Sequence, residues 1–249
     1  MKICVCIKRV PDTEARIRIA ADGAGIDPSG VKYVISPYDE FALEMALRLR
    51  EAAGEGEVVA LTVAEPAAAE QLRSALAVGA DRAVLLRGQP TLDGLATARA
   101  LAAELKEAAP DLVLLGMKAA DDDQQQVGPM LAELLGLPCI TAVAKFELQD
   151  GLAVCQREVE GGIEVVEVPL PAVITMTKGD VVPRYASLKG IMAAKKKPLD
   201  ERDAQLGASR VQLRSLSSPP ERPAGRIVGQ GVEAVPELVR LLRDEARVL

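Results

Sequence analysis

Short, almost unbroken apolar runs alternate with helical stretches over the first two thirds of this 249-residue chain. The runs fall at residues 3–8 (ICVCIK), 58–63, 83–86, 112–115 and 139–143. A strand with one wet face alternates polar and apolar residues; a strand covered on both faces does not. These runs therefore read as parallel strands buried inside a sheet. Between them, residues 36–49 repeat Phe41, Ala42, Met45, Ala46 and Leu49 at helical spacing, and residues 67–78 and 92–109 are rich in Ala and Leu. Parallel strands joined by helices cross over right-handed, so the spacing predicts an α/β fold built on a doubly wound, mainly parallel sheet.

Local signals set some of the boundaries. Ser36 suits a helix cap, Pro37 the first helical position, and Asp39 the positive helix end. Gly79 suits a helix stop. Two stretches depart from the alternation. Residues 16–35 read as a β-hairpin inserted after the first strand. Residues 144–176 read as strands turning at Gln149-Asp150-Gly151 and Gly161-Gly162, an antiparallel extension on the sheet edge. From residue 198 to 230 the chain turns polar and carries Pro198, Pro219, Pro220 and Pro223. This predicts an extended arm, closed by an amphipathic helix at about 235–247 with Pro236 in its first turn and Leu238, Val239 and Leu242 along one side. The expected division is an α/β domain over 1–197 and a C-terminal arm over 198–249, which lies on a partner subunit or on the chain's own body.

Composition narrows the chemistry. There is no histidine, which removes His-based nucleophile arrangements and the usual zinc and haem ligand sets. Tryptophan is absent, and the aromatics are Tyr33, Tyr38, Phe41, Phe146 and Tyr185. The core must be built from Ala, Val, Leu and Ile. Few stacking platforms and a net charge of −6 argue against nucleic acid as a partner. Cys4, Cys6, Cys139 and Cys155 form no CxxC pair, so they read as reduced, buried thiols rather than a metal site or a disulfide framework. No apolar run is long enough to cross a bilayer, and strand character begins by Ile3, so no signal peptide is expected. The expected location is cytoplasmic.

In open α/β sheets ligands sit beyond the carboxyl ends of the strands. Two regions reach that place: the helix start at 36–39, and residues 111–130 (DLVLLGMKAADDDQQQVGPM). There a buried strand ends at Gly116, a loop follows, and a helix is expected near 121–123. Gly116 permits close backbone approach, and the loop can offer N–H donors to a phosphate. Three consecutive aspartates can cap a helix, but their carboxylates repel a phosphate. They also point in different directions, so they do not share one Mg²⁺. From these residues alone, nucleotide binding and a plain acidic helix start stand equal. No GxGxxG and no GxxxxGK[ST] occurs, which disfavours a Rossmann dehydrogenase or a P-loop enzyme. Residues 183–198 (PRYASLKGIMAAKKKP) hold Arg184, Lys189, Lys195, Lys196 and Lys197 and no carboxylate. This reads either as a solvated helix end or as a surface for an acidic partner.

Four segments then carry a family resemblance along nearly the whole chain: CVCIKRVPD (4–12), SPYDEFALEMALRL (36–49), LVLLGMKAADDDQQQVGP (112–129) and LPAVITMTKGDVVPRYASLKGIMAAKKKP (170–198), with LAVGADRAVLL (76–86) fitting between. They resemble the beta (small) subunits of electron transfer flavoproteins, of the AMP-binding, non-bifurcating type; the last segment is the most specific. The resemblance implies an adenine nucleotide alpha hydrolase-like sheet and a heterodimer whose alpha subunit holds most of the FAD. It implies a structural AMP contacted by Cys6, Ser36, Pro37, Tyr38, Asp39, Val63, Gly116, Met117, Lys118, Ala119, Ala120, Asp121, Asp122, Asp123, Gln124, Gln125, Gln126 and Val127. Tyr38 falls where the family places an aromatic near the flavin, whereas Thr13 stands where some members have tyrosine. Arg184, Tyr185, Ala186, Ser187, Leu188, Lys189, Gly190, Ile191 and Met192 match the loop that docks partner dehydrogenases, with Leu188 as the apolar anchor. The implied role is electron carriage without catalytic side chains, from acyl-CoA-type dehydrogenases to a quinone oxidoreductase. Two alternatives stand beside it: a bifurcating beta subunit binding a second FAD, and a stand-alone nucleotide-binding stress or signalling module.

Overall fold

The computed structural model describes residues 1–88, 93–221 and 224–249. The chain divides into a unit of Met1–Ser215 and a unit of Leu216–Leu249. The first unit runs β1 (Lys2–Cys6), β2 (Arg9–Pro11), β3 (Tyr33–Ile35), α1 (Pro37–Ala53), β4 (Glu57–Ala64), α2 (Ala69–Val78), β5 (Arg82–Arg87), α3 (Gly94–Ala108) and β6 (Leu112–Gly116). It continues with α4 (Val127–Leu135), β7 (Cys139–Gln149), β8 (Leu152–Val159), β9 (Gly162–Pro169), β10 (Ala172–Met176), α5 (Leu188–Ala194) and β11 (Leu199–Asp203).

Among the described residues one nine-stranded sheet forms in the order β11-β5-β4-β1-β6-β10-β7-β8-β9. From β11 to β7 every pairing is parallel; β8 and β9 add antiparallel to β7. The unbroken apolar runs follow from this. Successive side chains of a strand point to opposite faces, and both faces of β1 are covered. Ile3 and Val5 pack with Leu43 and Leu47 of α1 and Leu72 and Leu76 of α2. Cys4 and Cys6 face Leu101 and Leu105 of α3 and Leu131 of α4. Burial pushes the Cys4 thiol up to about 12 and the Cys6 thiol well above its ordinary range. Both are inert at neutral pH.

The α/β class and the mainly parallel sheet agree with the sequence reading, while several boundaries differ. Residues 16–35 are not a regular hairpin: β2 and β3 pair antiparallel, and the segment between them keeps one bridge, Ile19 to Ile26. Ser36 stands at the N-cap of α1, but its side chain makes no capping bond and its buried hydroxyl has no partner. The helix expected near 121–123 begins at Val127, because Asp123 and Gln125 adopt φ of 51° and 56°, which a right-handed helix does not admit. β10 does not belong to the antiparallel extension; it returns to the middle of the sheet, parallel to β6 and β7. Residues expected to open the arm at 198 instead build the edge strand β11 on β5. The start of the helix expected at 92 lies outside the described residues. α3 begins at Gly94, where Asp93 accepts from the N–H groups of Leu95 (3.0 Å) and Ala96 (3.2 Å).

Among its described residues the second unit holds a 3-10 turn, Val232–Ala234, leading into α6 (Val235–Asp244). Arg240 pairs with Glu237 and Asp244 along its polar side. Val235 and Leu238 stay exposed. Pro223 lies outside the described residues. Among the described residues no helix is long and apolar enough to cross a membrane.

Candidate functional site

The carboxyl ends of β1, β4 and β6 open into a crevice. Its floor is apolar: Cys6, Val63, Leu115 and Val127, with Leu101 from α3. Its walls are Lys8, Asp39, the loop 116–126 and the first turns of α3 and α4. The N-terminus of α4, at Val127–Gly128, thus turns its backbone N–H groups and positive dipole end toward this space, whereas at α3 the Asp93 carboxylate already takes the Leu95 and Ala96 N–H groups.

The crevice is held by a buried carboxylate. Asp39 sits in the first turn of α1 and accepts from the backbone N–H of Lys8 at 2.7 Å and of Gly116 at 2.8 Å. It therefore ties the ends of β1 and β6 to the start of α1. Burial pushes its carboxyl up to about 7, even though those two N–H groups and the Lys8 charge favour the ionised form. Gly116 is required by the close approach. A Cβ there would stand 2.6 Å from both Asp39 Oδ1 and Tyr38 Cβ.

The aspartates of the loop face away from the role expected of them. Lys8 Nζ donates to Asp121 Oδ1 and Asp122 Oδ2, each at 2.8 Å. Burial works against the Lys8 charge, but these carboxylates outweigh it and hold its pKa above the ordinary value. Lys118 Nζ lies 3.0 Å from Asp123 Oδ1 and 5.6 Å from the Tyr38 ring centroid. Each of the three carboxylates is thus paired with a lysine, Asp121 and Asp122 sharing Lys8, so that two of their three charges are matched. None of them caps α4, and the repulsion they would exert on a phosphate is correspondingly reduced. The lining offers an apolar slot, glutamine amides at its rim and the N-terminus of α4, which together can receive a flat ring and an anionic group.

A second region lies at residues 183–198. Ser187 caps α5 by accepting from the Gly190 N–H at 3.0 Å. Tyr185 is 98% and Leu188 84% exposed, and Ile191 and Met192 are exposed beside them. Two of the five cations of the segment point inward. Arg184 grips Glu44 and Glu51 of α1, and Lys197 Nζ donates to the carbonyls of Leu76 (3.1 Å) and Ala80 (2.6 Å) beyond α2. The outward charges are Lys189, Lys195 and Lys196.

The electron transfer flavoprotein domain matches residues 24–206. The electron transfer flavoprotein subunit beta of Bradyrhizobium diazoefficiens is 41% identical over the whole of both chains. That of Bacillus subtilis is 40% identical, again over all of both chains. The human subunit is 36% identical over all of this chain and 99% of its own. The chain belongs to the electron transfer flavoprotein beta-subunit family. Its role is in electron transfer.

Of the residues that the family resemblance assigned to a nucleotide, the crevice brings together Cys6, Asp39, Val63, Gly116, Met117, Lys118, Ala119, Asp122, Gln124, Gln125, Gln126 and Val127. Ser36, Pro37, Tyr38, Ala120, Asp121 and Asp123 stand behind this lining: Asp121 on Lys8, Asp123 on Lys118, and Tyr38 beneath Lys118. The sequence reading missed Ile7, Lys8, Gly94, Thr97, Leu101, Leu115 and Gly128 as lining residues. Only Lys8 carried a signal, as a cation at the end of an apolar strand. The rest depend on how α3 and α4 lie over the sheet. Gly128 is needed there because a Cβ would meet Thr175 Cγ2 of β10 at 2.3 Å.

Proposed function

We propose that this chain is the AMP-binding, docking half of a non-bifurcating electron transfer flavoprotein. AMP would occupy the crevice beneath Gly116, its base in the apolar slot and its phosphate toward the first turn of α4. The alpha subunit holds FAD, which supplies the electron-carrying chemistry. Tyr38, beneath Lys118 and behind the crevice lining, completes the flavin's surroundings. The second unit, with its unburied amphipathic helix, lies on the alpha subunit. No side chain of this chain makes or breaks a bond: its residues hold a nucleotide, hold the fold and meet the donor. The expected setting is the cytoplasm.

The observation that carries this reading is an apolar crevice at the strand ends that meets the N-terminus of α4, with the acidic loop beside it paired to Lys8 and Lys118. Acid extraction of the purified heterodimer tests it: one FAD and one AMP are expected, while two FAD per heterodimer would assign the bifurcating type instead. A stable, ATP-binding monomer expressed without any partner would favour the stand-alone module.

Donor docking is assigned to Tyr185, Leu188, Ile191 and Met192, rimmed by Lys189, Lys195 and Lys196. Acyl-CoA-type dehydrogenases bring the electrons, and a quinone oxidoreductase takes them on. Burying one leucine is worth roughly 1.5–3 kcal/mol, and rim charges mainly accelerate encounter. Leu188→Ala is therefore expected to raise the KM of a donor dehydrogenase for the flavoprotein by about tenfold while flavin content stays at wild type. An unchanged KM would remove the anchor assignment.

A further inference from the structure

The exposed apolar tip at Tyr185 and Leu188 is unusually well anchored from behind. Arg184 makes five hydrogen bonds to two carboxylates of α1. Its backbone N–H and Nε donate to Glu44 Oε2 (3.2 and 2.7 Å), and Nη2 donates to Glu44 Oε1 (3.0 Å). Nη1 and Nη2 donate to Glu51 Oε1 and Oε2 (2.5 and 3.0 Å). Glu44 is 3% exposed, and Arg48 holds its Oε1 from the other side at 2.9 Å. A paired arginine fork of this kind has geometric as well as electrostatic content. The helix that follows is fixed independently. Gly190 packs so closely that a Cβ would meet the Ala77 carbonyl at 2.3 Å. Arg73 donates to the carbonyls of Ala194 (2.6 Å) and Lys197 (2.8 Å).

The segment is thus stapled at both ends to the helices beneath it, while the side chains between the staples face solvent. Arg184 is only half-exposed, and its charge is matched by two carboxylates. It cannot serve as a free rim charge. Yet it sits immediately before Tyr185 and four residues before Leu188, in an extended stretch that no sheet holds. Resting on the docking role given to this segment, we propose that Arg184 is a positioning residue for the donor: its fork on Glu44 and Glu51 holds Tyr185 and Leu188 in the arrangement the dehydrogenase meets. Preorganisation of this kind lowers the ordering cost of association. It acts on complex formation and leaves the flavin untouched.

The test measures electron transfer from a reduced acyl-CoA dehydrogenase to the intact heterodimer as a function of flavoprotein concentration and salt. Arg184→Lys keeps the charge and loses the fork; a rise in KM of about fivefold or more is expected. The limiting rate at saturating flavoprotein, the flavin content and the steepness of the salt dependence should stay at wild type. Glu51→Gln, at the exposed end of the fork, should raise KM in the same direction by less, and it keeps the proposal falsifiable should Arg184→Lys fail to assemble. Lys195→Gln serves as the rim control and should flatten the salt dependence. If Leu188→Ala raises KM while Arg184→Lys and Glu51→Gln match wild type, the positioning role is overturned and docking stands. If Arg184→Lys alters the salt dependence as Lys195→Gln does, Arg184 is a rim charge and the proposal fails. If Leu188→Ala and Arg184→Lys both leave KM unchanged, the docking assignment falls and takes the proposal with it.

Discussion

Gly116→Ala is expected to abolish the AMP binding proposed for the crevice and to destabilise the protein by roughly 2–6 kcal/mol. The added Cβ would lie 2.6 Å from Asp39 Oδ1, 2.6 Å from Tyr38 Cβ and 2.8 Å from the Tyr38 backbone carbon. A flexible side chain could yield at those distances, but these atoms cannot. Asp39 is gripped by the Lys8 and Gly116 N–H groups, and the Tyr38 backbone is part of the first turn of α1. Relief requires α1 and β6 to part. Overpacking of this kind costs about 1–3 kcal/mol. Parting also lengthens the Gly116 N–H bond to Asp39, leaving a buried carboxylate oxygen short of a donor at a further cost of about 1–3 kcal/mol. AMP content after acid extraction, together with the urea midpoint of the heterodimer, measures both effects. A variant with full AMP and an unshifted midpoint would contradict the close-approach argument.

The second large effect is a pH dependence centred on Asp39. Its carboxyl is raised from 3.8 to about 7 by burial. Charged and titratable groups reach it from each neighbouring element: Lys8 beyond β1, Cys6 on β1 and Asp121 in the loop after β6. A carboxyl with a raised pKa binds a proton in the folded state at pH values where the unfolded chain has released it. Stability from this group therefore falls as pH rises from about 4 to about 7, and it is fully present only below the unfolded value. Between pH 8 and pH 5 the wild type should gain about 3 kcal/mol over an Asp39→Asn variant, at about 1.4 kcal/mol per pKa unit. Unfolding free energies of both proteins across that range give the difference directly, with all other titrating groups cancelling. A difference that stays flat from pH 5 to pH 8 would mean that Asp39 is ionised throughout.

Much of the sheet could be read from residue order because the evidence for it is local. Ile3 to Cys6, Val58 to Leu61 and Leu112 to Leu115 are apolar without interruption, and the structure buries both their faces. Pro37 and Asp39 marked the start of α1 for the same reason. What escaped the sequence depends on contacts between distant residues. Asp121, Asp122 and Asp123 look like helix caps, yet their partners are Lys8, more than a hundred positions away, and Lys118. LDERD at 199–203 looks like loop because four of its five residues are charged. It is an edge strand, where one flank faces water and charge discourages further pairing. In residues 183–198 a count of positive charges cannot separate Arg184 and Lys197, which face inward, from Lys189, Lys195 and Lys196, which do not. The crevice was half legible: its strand ends and loop were foreseen, while Gly94, Thr97 and Gly128 enter only because α3 and α4 lean over it.

The place of β10 between β6 and β7 has a consequence for the chain as it leaves the ribosome. β6 finds β1 as soon as it emerges, but its other side waits for a strand that ends about sixty residues later, at Met176. At about 5–20 residues per second that is roughly 3–12 s during which an apolar edge stands bare. β7 arrives first and is itself apolar at its start, so it competes for the vacancy. Synthesis must pass through this interval every time, and it is then that a holding chaperone would have something to grasp.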